Sequence, residues 1–438
     1  MSAPSPARPK IVSVLTALYL FCIPLQWTPN PWNIQLSDLV FVGLAICILF
    51  NRRFFSRMPL HRLDLFLGLY LAVSAFSFWR SGNRLESGIP LVKQLYLATV
   101  YFLFAVLSEN AGDRQKWCRW QARTAVCAAL FGVLAAAVYY LFGLFYPSIG
   151  MPMPIPAVGK IFRVQGPFYS HEYFGDYLTF SLPLLIGLSI KSESPGRWRI
   201  GLAAAAAAAI LTVTHSLAGL CAGALFFLWW TPLAKNRAWR IARIALCAAT
   251  IFLFLAVNGL SIVSIRQCTI TSGKNPAVPP APYVYAFQDK QLGSDQITFD
   301  ISYNPMSYFL LKKFAVEAFL DKPITGQGLE QYPEVTARAY QQGRIHSTYK
   351  RMDAHCTLLG RLAETGILGG ISLLLFVAGL LFYGSRLIRR SPMSHWAEAA
   401  LLAGSAGLLM NSLNVDIMNF RFLWVGFGII RGSFRSSS

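Results

Sequence analysis

The chain has 438 residues, of which 55% are hydrophobic and only 13% charged, about half the charged share of an ordinary soluble domain. That excludes a cytosolic enzyme, a disordered protein and a small secreted domain; roughly 240 apolar residues would fill about twelve 20-residue membrane spans. The net charge of +20 is the Lys and Arg excess expected of cytoplasmic loops, so no nucleic-acid partner is expected.

A short polar, Pro-containing start leads into an apolar run from Ile11 to about Trp27. No small-x-small cleavage site closes it and more spans follow, so it reads as the first span rather than a signal peptide. Further apolar runs centre near 36–50, 64–79, 90–107, 122–145, 174–190, 200–213, 216–230, 244–264, 365–384, 397–414 and 420–432. The reading is an all-α polytopic membrane protein with about twelve transmembrane helices. Thr214, His215 and Ser216 split the seventh and eighth runs, and the alanines at 203–209 suit close helix approach.

Loop charge orients these spans. Arg52, Arg53, Arg57 and Arg62 share one side with Arg114, Lys116, Arg119 and Arg123. Lys191, Arg197 and Arg199 join them, as do Lys235, Arg237, Arg240 and Arg243, then Arg386, Arg389 and Arg390. Both termini are then cytoplasmic. The chain divides into nine helices with short loops over 1–264, a large periplasmic loop over 265–355, and three helices with a cytoplasmic tail over 356–438. A polar loop that long among short ones is usually functional.

The loop's first part, Thr271 to Pro305, is rich in Pro, Gly, Asn and Ser and reads as irregular. Its second part, Ser307 to Leu320, spaces Phe309, Leu310, Phe314, Ala318 and Phe319 as an amphipathic helix around Lys312, Lys313 and Glu317. That helix lies along the outer membrane surface or packs on its own lobe. Of eight cysteines, Cys268 and Cys356 flank the loop, and whether they pair is left open.

Few residues on the outer side suit chemistry. His355 closes the loop and opens the tenth span; a histidine there can accept a proton near neutral pH, or simply sit at the interface. His346 is its rival. Arg361 and Glu364, three apart in that span, are neighbours on a helix face and form either a structural ion pair or part of a site. Arg163 lies in an outer loop just before a span, where it binds phosphate or snorkels to the interface. Neither a DxD nor an HExxH motif marks the outer face, and no P-loop, GxGxxG or GxSxG occurs, so no metal or cofactor is expected.

Together these residues resemble the O-antigen ligase and O-antigen polymerase family. The resemblance rests on Pro323-Ile-Thr-Gly326-Gln-Gly328 in the outer loop, His355 at its end, Ala363-Glu364-Thr-Gly366 in the next span, and the earlier Arg163…Gly166-Pro-Phe168 segment. It covers about 160–432. The family's Ser-Arg-Gly between two short spans is His215-Ser216-Leu217-Ala218-Gly219 here, and its arginine before the Pro-x-x-Gly turn has no counterpart at Ser307 to Phe309.

The resemblance implies a fold like GT-C-type membrane glycosyltransferases in a bacterial inner membrane, with the site facing the periplasm. The donor would be a glycan on undecaprenyl pyrophosphate within membrane lipid. Ligases transfer it to lipid A-core, polymerases to a second carrier-linked glycan. His355 would be the general base of an inverting, metal-independent transfer. Arg163, Arg361 and Arg266 would hold the pyrophosphate. Gly326, Gly328, Tyr332, His346, Lys312 and Lys313 would bind substrate or shape the loop, and Glu364 and Gly366 would be structural. A transporter, and a scaffold for an envelope complex, stand as rivals from other classes, although transporters usually place their sites at mid-membrane.

Overall fold

The computed structural model describes residues 9–26, 34–50, 60–155, 159–212, 216–230, 237–259, 264–270, 297–302, 307–345, 349–390 and 394–434. In chain order the helices are α1 Lys10–Cys22, α2 Leu36–Leu49, α3 Arg62–Arg80, α4 Arg84–Leu107, α5 Ala111–Phe142, α6 His171–Lys191 and α7 Pro195–Thr212. They continue as α8 Ser216–Trp230, α9 Arg237–Gly259, α10 Ser307–Asp321, α11 Tyr332–Gln341, α12 Thr357–Arg390, α13 Trp396–Asn411 and α14 Arg421–Ser433.

The expectation of about twelve transmembrane helices is overturned. Among the described residues, five helices are long and apolar enough to cross a membrane: α3, α4, α5, α6 and α12. α1, α2 and α8 are apolar but span only 13, 14 and 15 residues, short of the ~20 that a ~30 Å hydrocarbon layer requires. The other failure is instructive. Hydropathy counts apolar residues without asking what they face. All 13 residues of α14 are buried, as is nearly all of α13, so these runs are interior packing rather than lipid-facing surface. The chain is a multi-pass membrane protein built on fewer full-length spans than its apolar content suggests.

Nor is it wholly helical. β1 Gly150–Ile155 pairs antiparallel with β2 Gly159–Val164, setting Arg163 opposite Met151. β3 Ser264–Ile270 pairs with β4 Ile297–Ser302. Of the irregular stretch expected at 271–305, residues 271–296 and 303–305 lie outside the described residues.

The helices begin and end where local chemistry dictates. The Asn83 side chain accepts from Glu86 N to start α4, and Asp38 accepts from Gln35 N in a capping box on α2. α5 stops at Gly143, whose φ of +68° suits the left-handed cap. α6 packs against α5, α7, α8 and α13, while α14 lies on α4 and α12 on α3. Gly219 on α8 and Gly407 on α13 bring those two backbones into contact that a Cβ at either position would block. α10 buries Leu311, Phe314, Ala315 and Ala318, the i, i+3, i+4, i+7 stripe of an amphipathic helix, and packs on α12.

A polar chamber at the break in helix α12

α12 is interrupted near its start. Gly366 has φ +68° and ψ −169°, which breaks the hydrogen-bond ladder there. Ile367 N, which would otherwise donate to Ala363 O, donates to Pro323 O at 2.8 Å. The carbonyls left without helical donors take new ones: Gln327 N to Ala363 O at 2.8 Å, Gly328 N to Glu364 O at 3.1 Å, and Ser77 Oγ to Glu364 O at 2.8 Å. Thus the Pro-x-x-Gly-x-Gly turn plugs into the Ala-Glu-x-Gly break. The fit needs glycine: Gly326 (φ +67°) lies against the Glu364 carbonyl and Gly366 against the Ile324 carbonyl, with no room for a Cβ at either. Gly328 (φ +114°) rests against Ser81, and Ser87 Oγ donates to Leu329 O at 2.5 Å, tying the turn to the α3–α4 connection.

Charged groups gather beneath this turn. Arg361 is buried and donates to Glu364 at 3.1 Å and to Asp416. Asp416, in the loop after α13, also accepts from Met418 N at 3.1 Å and Asn419 Nδ2 at 3.2 Å. Arg421, at the start of α14, holds Asp38 through two bonds of 2.7 and 2.5 Å. Lys93, in the third turn of α4, differs: it has no ion pair or hydrogen bond among the described residues. It lines a cleft with Gln26, Tyr169, Tyr173, Asn419 and Arg421. Gln26 Oε1 and both polar side-chain atoms of Gln94 are buried without partners among the described residues. Such orphans are rare in finished protein interiors.

Glu330 projects from the turn with φ +57°. It is open to solvent on one side, yet it lies deep enough that burial pushes its carboxyl above the usual range, with Arg361 and Lys93 opposing and Asp416 and Asp353 reinforcing the shift. His355, with φ +44°, donates its backbone N–H to Asp353 Oδ1 at 3.0 Å and sets Nδ1 3.1 Å from the same oxygen. That contact makes Nδ1 the protonated nitrogen and puts the basic lone pair on Nε2. With Arg351 at φ +60°, three non-glycine residues among those described take the left-handed conformation, all in this region. Each costs about 1–2 kcal/mol, a strain that tends to concentrate at functional sites.

The other residues singled out from the sequence fall into place unevenly. Tyr332 is buried and donates to Leu311 O, fastening α11 to α10. Lys312 donates to Asn414 Oδ1 at 2.8 Å, and burial pushes its ammonium below the usual value. Lys313 is exposed, 4.0 Å from Glu317. Arg163 donates from Nε to Thr212 O at 2.8 Å, which places its charge on the C-terminal carbonyls of α7, and it also acts electrostatically on His171. Arg266 lies in β3, with its side chain outside the description, and His346 is outside the described residues. Cys356 is a buried free thiol. Lys93, Glu330, Asp353 and Asp416 escaped the sequence reading, although Lys93 carried a signal: it is the one cation inside the apolar run 90–107.

Residues 200–374 match the family model of O-antigen ligase (Wzy_C). The matched segment contains the docked turn, His355 and the α12 break, and it excludes Lys93, Arg163 and Asp416. No curated protein matches the chain at a significant level. The family match bears out the resemblance read from the sequence and supports a membrane-associated glycan-handling enzyme.

Proposed function

We propose that the protein transfers a glycan from an undecaprenyl pyrophosphate carrier to lipid A-core at the periplasmic face of a bacterial inner membrane. The observation that carries this reading is His355, held by Asp353 and inside the segment that matches the ligase family.

In this mechanism Asp353 fixes the imidazole tautomer and His355 Nε2 takes the proton from the acceptor hydroxyl. The hydroxyl oxygen attacks the anomeric carbon, the bond from that carbon to the diphosphate breaks, and undecaprenyl pyrophosphate leaves with the electron pair. No carboxylate is assigned as nucleophile, so the displacement is single and inverts the anomeric centre. The leaving group gains charge, which pre-placed cations stabilise. Arg163 is assigned to that role from β2, just before α6. Arg361 already has two carboxylates in contact, so we assign it to holding the chamber together rather than to the diphosphate. Glu364 and Gly366 support it from α12.

The test is a reconstitution of purified protein with a carrier-linked glycan and a lipid A-core acceptor, run beside His355→Ala. Glycan on the core, lost in the variant, supports a ligase with His355 as base. Longer glycan left on the carrier makes the enzyme a polymerase using the same site. No product from correctly inserted protein sinks both and favours transport.

A further inference from the structure

We infer that Lys93, on α4, is a diphosphate-binding residue: its ammonium holds the diphosphate of the lipid carrier beside the narrow cleft it shares with Arg421, Tyr169 and Tyr173. The inference rests on the glycan-transfer reading above and adds to it a site inside a membrane span, outside the segment that matches the family.

The first support is the charge inventory. Arg114, Arg361, Arg421 and Arg431 are buried, and each has a carboxylate within contact. Lys93 has none among the described residues. Its nearest influences include the like charges of Arg421 and Arg361, with Asp416 and Glu330 attracting it from beyond contact distance. An unpaired ammonium at membrane depth is costly and is kept mainly where it does something. The second support is the cleft. Lys93 and Arg421 line it together with two tyrosines and Asn419. Gln26 lines it too. The Lys93 ammonium and the tyrosine hydroxyls are donors that suit an oxyanion with many acceptor oxygens, while Arg421, already held by Asp38, adds positive charge nearby.

The third support is the negative charge around it. Asp38 and Asp416 are occupied by Arg421 and Arg361. Glu330 is the facing carboxyl that no described contact neutralises. A bound diphosphate would take over the attraction to Lys93 that Glu330 now exerts at a distance. Lysine's point charge, with three rotatable donors, suits a diphosphate that must slide in from lipid and leave again.

The experiment measures binding of undecaprenyl diphosphate to the full-length protein in neutral-lipid nanodiscs, with phosphatidylglycerol as a second ligand. Lys93→Gln is compared with Lys93→Arg, and Lys93→Met guards against a glutamine-specific folding defect. Loss of about tenfold or more in diphosphate-lipid affinity in Lys93→Gln and Lys93→Met, with Lys93→Arg retaining binding, is expected. Phosphatidylglycerol binding should not change, and in turnover the donor KM should rise while the acceptor KM stays put. Undiminished diphosphate binding in Lys93→Gln overturns the inference while leaving the transfer reading intact. Equal loss of both lipids overturns it too, since the residue would then read any lipid phosphate. A wild-type protein that binds no diphosphate lipid overturns both readings.

Discussion

The two ends of the helix bundle both bury charge, and they treat it differently. At the end formed by the starts of α3, α5 and α13, every buried charge among the described residues is closed. Arg431 bonds Asp64 at 3.3 and 2.9 Å, and Asp64 also accepts from Tyr101 OH at 2.7 Å and His61 N at 2.7 Å. Arg114 bonds Glu398 at 2.5 Å and the carbonyls of Ser108 and Glu109 at 3.0 and 2.8 Å. At the end where α12 breaks, Arg361 and Arg421 are closed in the same way, but Lys93 and Glu330 have no hydrogen bond or ion pair among the described residues and the backbone is strained at three positions. Closed networks hold helices in register. Open charge and strained backbone tend to concentrate where a ligand or reaction completes them. The comparison separates structure from site with no appeal to function.

The sharpest way to break it is His355→Ala. Removing a general base should lower turnover about 10²–10⁴-fold while thermal unfolding stays near wild type; near-full activity in inserted protein ends the assignment. Next come paired variants, one from each end. Glu398→Ala leaves buried Arg114 without a carboxylate and should cost about 3–5 kcal/mol of stability, while Asp416→Ala leaves Arg361 with Glu364 alone and should cost less. Only Asp416→Ala should also lower the activity of the protein that remains folded, as read by activity per folded molecule. If Glu398→Ala does so equally, the two ends are not distinct.

Gly366→Ala should destabilise by at least about 2 kcal/mol, because its backbone is left-handed and its added methyl meets the Ile324 carbonyl. Limited proteolysis should then find the 323–332 turn released. The smallest effect is Lys313→Ala. Its contact is exposed and long, so stability and donor KM should both stay within about 0.5 kcal/mol of wild type; a large KM change would return Lys313 to the site.

Hydropathy located the apolar segments well, yet it could not tell α14, wrapped on all sides by other helices, from α5, whose Leu134 and Phe142 remain exposed. A buried helix and a lipid-facing helix are equally apolar when read one residue at a time. The site was legible in part for a similar reason. His355 stood out by its position at a span's edge, and the two glycine-containing motifs by their residue types. That the motifs grip each other, through Gln327 N and Ile367 N, follows from backbone geometry that no side-chain pattern encodes.

Composition, the positions of apolar runs, and the glycines at 326, 328 and 366 were determined by the sequence alone, because burial preference and left-handed backbone are properties of single residues and short segments. Which charges are closed and which stay open was decided only by tertiary structure. Arg361 and Lys93 both interrupt apolar stretches and read alike in one dimension. The fold brings Asp416 to the first, across 55 residues of chain, and brings no contacting carboxylate among the described residues to the second. Pairing of buried charge depends on separations of a few ångströms between distant segments, and only the packed helices set those.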